Sequence, residues 1–204
     1  MITRWSLVLA ATVMTITIAA MAVSGYGHPE PASVPFRWEL QFEPGELRMY
    51  EDPLDGRAYW YFTYVVMNRT DEDQLWAPSF TLYTDGGHIL QSGRDVPTRV
   101  EVAIRRLLRN DLLETQNEAI GELYQGREHA KDGLVVWPVR DAKVTELSLF
   151  VGGISGETAR VMNPLTGEEH ILRKTLRRDY LIPGDARARG SRPVELVEQV
   201  WVLR

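Results

Sequence analysis

The stretch AYWYFTYVVM, residues 58–67, decides the fold predicted for this chain. Its residues are aromatic, β-branched or otherwise apolar, so the alternation of a strand places such side chains on both of its faces. A strand that is apolar on both faces lies inside a layered structure and is covered on each side. We therefore expect residues 58–67 to form a central strand between two packing layers.

Shorter segments on both sides of this stretch also have strand patterns. Upstream, residues 36–42 alternate between apolar and polar side chains, and Pro44 and Gly45 predict a tight turn before a short strand at 47–50. Downstream, strands are predicted at 76–84, 88–91, 134–139, 145–151, 158–162, 168–181 and 194–203. About eight or nine short strands separated by Gly, Pro and Asp turns favour a mainly β fold, a sandwich or a barrel.

The middle of the chain changes from a two-residue to a helical period. Thr98 and Glu101 have the spacing of a capping box, which satisfies free amides at the start of a helix. The apolar residues that follow fall on one helical face: Val100, Ala103, Ile104, Leu107 and Leu108. Asp111 can cap a second short helix, which Gly126 ends. We expect a short helical insertion at about 98–126 in a β domain that spans 36–204.

One part of the chain resembles a known class of domain. Residues 59–74 form an aromatic strand that ends in VVMNRT and leads into an acidic loop, and a partner strand with the sequence WAPSFTLYTDGG follows. In this arrangement the chain resembles exported bacterial immunoglobulin-like domains. The resemblance implies an antiparallel immunoglobulin-like β-sandwich, and no activity follows from it.

The N-terminal residues predict export. Arg4 precedes an apolar run at 5–23, and Ala20 and Ala22 fit the small-x-small rule for cleavage after Ala22. The run also approaches the roughly 20 residues that span a bilayer, so an uncleaved anchor remains an alternative. We expect residues 1–22 to be a signal peptide or an N-terminal membrane anchor and 23–35, with three prolines, to be a flexible tether. The predicted location is the periplasm or the cell surface.

The composition excludes several kinds of function. With 28 acidic and 23 basic residues the net charge is −5, which argues against nucleic-acid binding through bulk positive charge. The chain has no cysteine, so thiolate catalysis, Cys-ligated zinc and iron–sulfur clusters are excluded. We predict no cofactor.

The motif search predicts neither a catalytic nor a metal site. Gly153 to Glu157 approach a nucleophile elbow around Ser155, but Glu157 stands where the tight turn requires glycine. The histidines, His28, His88, His129 and His170, are far apart and form no H-x-x-x-H pair. The protein is therefore predicted to be non-enzymatic.

The strand predicted at 168–181 carries a basic cluster. Alternation places Arg173 and Arg177 on one face and Lys174 and Arg178 on the other. We interpret it as a strand that is twisted, bulged or at an edge, where its charges discourage pairing with other chains, with ligand recognition as the alternative.

Trp76 and Trp137 lie beside turns or prolines and are the candidate binding residues, although a core position is favoured for each. The leading hypothesis is an envelope interaction or structural module with a protein partner. The second is a carbohydrate-binding domain that uses exposed tryptophans. The third is a hydrolase whose site converges only in space, in a deep pocket. The oligomeric state stays open.

Overall fold

The computed structural model describes residues 28–204, and the chain is mainly β. The strands are β1 (Gln41–Glu51), β2 (Ala58–Met67), β3 (Gln74–Trp76), β4 (Ser79–Thr84), β5 (Ile89–Gln91), β6 (Glu114–Thr115), β7 (Gly121–Leu123), β8 (Lys131–Pro138), β9 (Glu146–Gly152), β10 (Thr158–Met162), β11 (Glu169–Leu181) and β12 (Glu195–Leu203). The α-helices are α1 (Thr98–Leu108) and α2 (Gln116–Ala119). The predicted signal peptide or anchor, and residues 23–27 of the predicted tether, lie outside the described residues.

The strands form two main sheets. The small sheet has the order β1-β2-β8-β6, and its only parallel pair is β6 with β8 in the described part of the chain. The large sheet has the order β10-β11-β9-β4-β5, and β12 pairs with β11. A separate two-stranded ribbon joins β3 and β7. In residues 28–204, no helix combines the length and the apolar character that crossing a membrane requires.

Strand β2 is covered on both faces, as its sequence predicts. Trp60 and Phe62 point into the main core, which the large sheet closes from the other side. Tyr59 and Tyr61 belong to a second core, in which they pack with Ile104 of α1. The order of the layers is therefore α1, the small sheet and the large sheet.

The main core uses one face of the large sheet and leaves the other to solvent. Its side chains from the large sheet include Phe80, Leu82, Leu149, Val151 and Leu176, all buried. Because successive residues of a strand alternate between faces, the residues between them point away from the core. We call this solvent-facing side of the large sheet the outer face.

Strand β1 differs from the prediction at Pro44 and Gly45. The chain does not turn there, and β1 continues along β2 through a bulge between Pro44 and Leu47. A Cβ added at Gly45 would lie 2.7 Å from the carbonyl oxygen of Thr63. Glycine is therefore needed at the bulge, because the two strands approach too closely there to leave space for a side chain. Glycine after proline is also typical of a tight turn, so the sequence alone did not distinguish the two.

The helical insertion is shorter than predicted. Helix α1 begins at Thr98 as expected, but its N-cap is Pro97, which has no side-chain cap, and Leu107 is exposed. The capping box belongs to α2, between Thr115 and Glu118. Helix α2 has only four residues, because the segments on either side of it pair with β8 and β3.

Candidate functional site

The two tryptophans that were candidates for exposed binding contacts are fully buried. Trp76 and Trp137 are both 0% exposed. Trp137 is the ladder partner of Trp60 on β2, so it faces the core between the sheets. The ring of Trp76 lies 5.9 Å from that of Tyr64 in the same core. The expectation of exposed binding tryptophans is wrong, because neighbouring turns and prolines do not reveal which face of a strand the other sheet covers.

The motifs that suggested other chemistry remain scattered. Within residues 28–204, no three side chains of the kinds that bind metals lie close enough together to hold an ion. The Oγ of Ser155 accepts the backbone N–H of Glu157 at 3.2 Å, as in a local turn.

The outer face presents polar side chains around one aromatic pair. Its residues are Ser79, Thr81 and Tyr83 of β4, Ser148, Phe150 and Gly152 of β9, and Arg173, Thr175, Arg177 and Asp179 of β11. The prediction that Arg173 and Arg177 share a face is therefore confirmed. The rings of Tyr83 and Phe150 meet edge to face, with their centroids 5.0 Å apart. This pair divides the outer face into an acidic and a basic part.

The acidic part is a depression of about 530 Å³ beside β12. In it Arg177 forms ion pairs with Asp179 at 2.9 Å and with Glu198 of β12 at 2.7 Å. Ser148 donates a hydrogen bond of 2.6 Å to Asp179. With Glu146 also in the lining, carboxylates outnumber the single arginine, so the local potential favours a positively charged group.

Strand β12 forms the rim of this depression and is an open edge of the large sheet. In the structure of residues 28–204, β11 is its only ladder partner. Its first five residues, Glu195–Gln199, are all exposed, and they include Leu196 (42%) and Val197 (64%). Val197 also lines the depression. Unpaired backbone groups and exposed apolar side chains thus lie next to each other.

The basic part of the outer face is organised around Arg204. Its guanidinium carbon lies 4.2 Å from the centroid of the Phe150 ring and 5.2 Å from that of Tyr83. One of its N–H groups donates to the Tyr83 hydroxyl at 2.8 Å. The stacking fixes the guanidinium in one orientation. Sequence reasoning missed this arrangement, because Tyr83 and Arg204 are 121 positions apart and no local pattern links them.

Lys174 lies on the opposite side of β11 and is buried in an ion cluster. Its Nζ lies 2.9 Å from Oε2 of Glu39 and 3.3 Å from Oε2 of Glu157. Burial by itself lowers the pKa of this lysine, but hydrogen bonds to the two carboxylates outweigh it, so the pKa is raised. The edge-strand interpretation is wrong for this half of β11, which is paired on both sides with β9 and β12.

The same cluster holds part of the segment predicted to be a tether. Lys174 donates to the carbonyl oxygen of Ala32 at 3.3 Å, and Glu157 accepts the N–H of Ala32 at 2.8 Å. Both backbone groups of Ala32 are therefore bound by buried charged side chains. At this residue the segment is attached to the domain, in contrast to the flexible tether expected for 23–35.

Arg178 is the second basic residue inside the fold. It is only 6% exposed, and its guanidinium carbon lies 5.8 Å from the centroid of the Phe62 ring. Its Nε–H donates to the hydroxyl of Tyr180 at 2.8 Å. The long side chain thus fills the core and keeps its polar end satisfied.

Comparisons of this chain with protein-family models, with curated proteins and with solved structures gave no match. The physical character of the outer face and of β12 is therefore the basis for a functional assignment.

Proposed function

We propose that this protein is an exported, non-enzymatic interaction module of the bacterial cell envelope. We propose further that it binds an extended segment of an envelope protein along the open edge of β12. The observation that carries this proposal is the exposed stretch Glu195–Gln199, which among the described residues pairs only with β11 and has Leu196 and Val197 at its surface. An edge of this kind is a template for an additional strand.

The edge lacks most of the usual protection against such pairing, although the register with β11 shifts at Val197 as in a β-bulge. Natural edge strands carry lysine or proline, or are covered by a loop or helix. The exposed part of β12 contains neither of these residues, and the charge of Glu198 is paired with Arg177. Its backbone groups can therefore accept a partner strand without the loss of a protecting contact.

The surroundings of the edge indicate the chemistry of the partner. A strand added to β12 would place alternate side chains over the outer face, next to the depression of about 530 Å³. Val197 and Leu181 offer apolar contact there, whereas Glu146 and Asp179 favour lysine or arginine. We therefore propose a partner segment in which apolar and basic residues alternate.

The fold and the location are part of the same proposal. Two packed sheets with mainly antiparallel neighbours support the immunoglobulin-like sandwich as its fold. Export is supported by Arg4, the apolar run at 5–23 and the small residues before the predicted cleavage position.

The two alternative functions have less support. Carbohydrate binding through Trp76 and Trp137 needs exposed rings, and both are buried. Hydrolysis needs a deep pocket with convergent polar groups, and the depression beside β12 is an open feature on the face of a sheet. A protein partner is thus the function that we retain.

The edge can be tested with synthetic peptides and hydrogen exchange. A peptide of alternating lysine and valine should protect the backbone amides of Glu195–Gln199 from exchange, and a glutamate–valine peptide should not. Val197→Lys should abolish this protection, because it adds a charge at the edge. Leu165→Lys is the matched control, since Leu165 is 93% exposed on the turn between β10 and β11.

Two results would count against the proposal. Unchanged exchange at Glu195–Gln199 with every peptide would show that the edge does not accept a strand. A concentration-dependent dimer that Val197→Lys disrupts, measured by sedimentation, would assign the edge to a second copy of the chain instead.

A further inference from the structure

An independent feature lies in the basic part of the outer face, where two arginines are cross-strand neighbours. The N–H of Arg173 donates to the carbonyl oxygen of Arg204 at 2.7 Å, and the N–H of Arg204 donates to that of Arg173 at 3.2 Å. Residues paired in this way have side chains on the same face of the sheet. Like charges directly opposite each other destabilise a sheet, so an anion bound between them would be stabilising.

The two arginines border a small pocket that no Asp or Glu side chain lines. Its volume is about 190 Å³. The lining residues are Ser79, Thr81, Phe150, Gly152, Gly153, Arg173, Thr175 and Arg204. Three of them carry hydroxyl groups and two carry guanidinium groups. Thr81 donates to Oε1 of Gln91 and Thr175 donates to the carbonyl oxygen of Arg173, so Ser79 supplies the remaining hydroxyl donor. Together with the two guanidinium groups it gives the pocket hydrogen-bond donors and positive charge, and no Asp or Glu side chain lines it.

Gly152 keeps this pocket open. It lies on the outer face of β9, directly opposite Ser79 in the ladder. A Cβ at this position would lie 2.6 Å from the Oγ of Ser79 and would occupy the floor of the pocket. The space for a ligand thus depends on a residue without a side chain.

Arg204 is held in an orientation suited to binding an anion. Its guanidinium stacks on Phe150, and in the described part of the chain Tyr83 is its only side-chain hydrogen-bond partner. A guanidinium has five N–H groups, so most of them remain for a ligand. Because the stacking fixes the side chain beforehand, a ligand has little ordering to impose on it.

We propose that this pocket binds a phosphate group. A phosphate has more acceptor oxygens than a carboxylate, and it matches a set of two guanidinium groups and the hydroxyl of Ser79. Binding also removes the repulsion between Arg173 and Arg204. This site is separate from the edge of β12 and does not depend on the protein partner proposed for it.

Calorimetric titration of the purified protein with inorganic phosphate tests the site. We expect saturable binding, and a rise in Tm with phosphate concentration because the folded state alone binds the ion. Arg173→Gln and Gly152→Ala should each weaken binding at least about tenfold, the first by removing charge and the second by filling the pocket. Arg160→Gln, which changes an exposed arginine on β10 outside this pocket, should leave the affinity unchanged.

The source of the phosphate can be determined in the same set of variants. If the protein binds vesicles of phosphatidylglycerol, and if inorganic phosphate or the variant Arg173→Gln abolishes this binding, the phosphate group of the ligand belongs to a lipid headgroup. Binding of inorganic phosphate without vesicle binding would assign a soluble phosphate compound.

Absence of saturable phosphate binding would overturn the proposal, as would equal affinity in the wild type and Arg173→Gln. If Gly152→Ala fails to fold, Arg204→Gln provides the second variant, and it should weaken binding in the same way. Val197→Lys should not affect phosphate binding, so this site and the β12 edge can fail independently.

Discussion

The Nζ of Lys174 lies 2.9 Å from Oε2 of Glu39, at a position where only 2% of the lysine side chain is exposed. Glu157, whose side chain is 5% exposed, is the second carboxylate of this cluster. Lys174 and Glu157 are thus buried together, whereas Glu39 is 23% exposed, and among the described residues the lysine is the only cation in the cluster. Its removal would leave carboxylates without a countercharge in a poorly hydrated place.

We therefore expect Lys174→Met to destabilise the protein by about 3–5 kcal/mol, the usual cost of leaving a buried charge unpaired. Arg160→Met is the control, because the Arg160–Glu169 pair is 73% and 47% exposed and should contribute about 0–1 kcal/mol. Urea denaturation at neutral pH gives both free energies of unfolding. Similar losses in the two variants would contradict the importance of burial for this cluster.

Stability should fall at alkaline pH, in part through Tyr64. Burial raises the pKa of Tyr64 from 10.0 to about 12. Because the folded pKa is the higher one, its contribution is complete below pH 10.0 and is lost as the pH rises through about 12. The shift corresponds to about 3 kcal/mol. Lys174, whose pKa is also raised from 10.5, acts in the same direction.

Urea denaturation at a series of pH values measures this loss, and Tyr64→Phe should reduce its steepness. The hydroxyl of Tyr64 is buried and Tyr64→Phe keeps the ring that packs in the core, so the variant should fold normally at neutral pH. The absorbance of tyrosinate gives an independent measure of the late ionisation. An identical alkaline profile in wild type and variant would show that Tyr64 is not responsible.

The ring of Tyr64 lies across Gly133, its ladder partner on β8. A Cβ at Gly133 would overlap ring atoms of Tyr64, so Gly133→Ala should cost at least about 1–3 kcal/mol through overpacking. Gly86→Ala is the matched control, because the nearest atom to its added Cβ is 3.5 Å away. It should change stability by less than about 0.5 kcal/mol, and thermal unfolding measured by circular dichroism compares the two.

The buried tryptophans should behave as core residues. Trp76→Ala and Trp137→Ala are each expected to cost about 3–5 kcal/mol, the range for removing a large aromatic side chain from a core. Acrylamide should quench these indoles poorly in the native wild type, and glycans should leave their fluorescence unchanged. Quenching of Trp76 or Trp137 by a glycan would contradict the burial that the structure shows.

The sequence correctly predicted the elements whose position depends on the periodicity of their own apolar residues. The apolar run at 58–67 indicated a central strand, and the helical period after Thr98 indicated α1. Pro44 and Gly45 were misleading, because glycine is common both in turns and in bulges. Here it lies in a bulge that packs closely against Thr63. The exposed face of each strand was not predictable where both faces were apolar, and this explains the error at Trp76 and Trp137.

The candidate sites could not have been derived from the sequence in the same way. Arg204 meets Tyr83 and Phe150 only because β12 and β4 flank the pair β11 and β9 in the large sheet. The alternation of β11 correctly separated Arg173 and Arg177 from Lys174 and Arg178. It did not show which pair would be buried, because this depends on where the small sheet packs.

The attachment of Ala32 to Lys174 and Glu157 has a mechanical consequence for a protein held at its N-terminal side. A pull transmitted through His28 would reach the hydrogen bonds of Ala32 before it loads any strand. The next links are the backbone bonds of Trp38 with Gly156 and of Leu40 with Ile154. Tension would therefore peel a short leading segment from the domain step by step, while the two sheets, and the surfaces they present, stay intact.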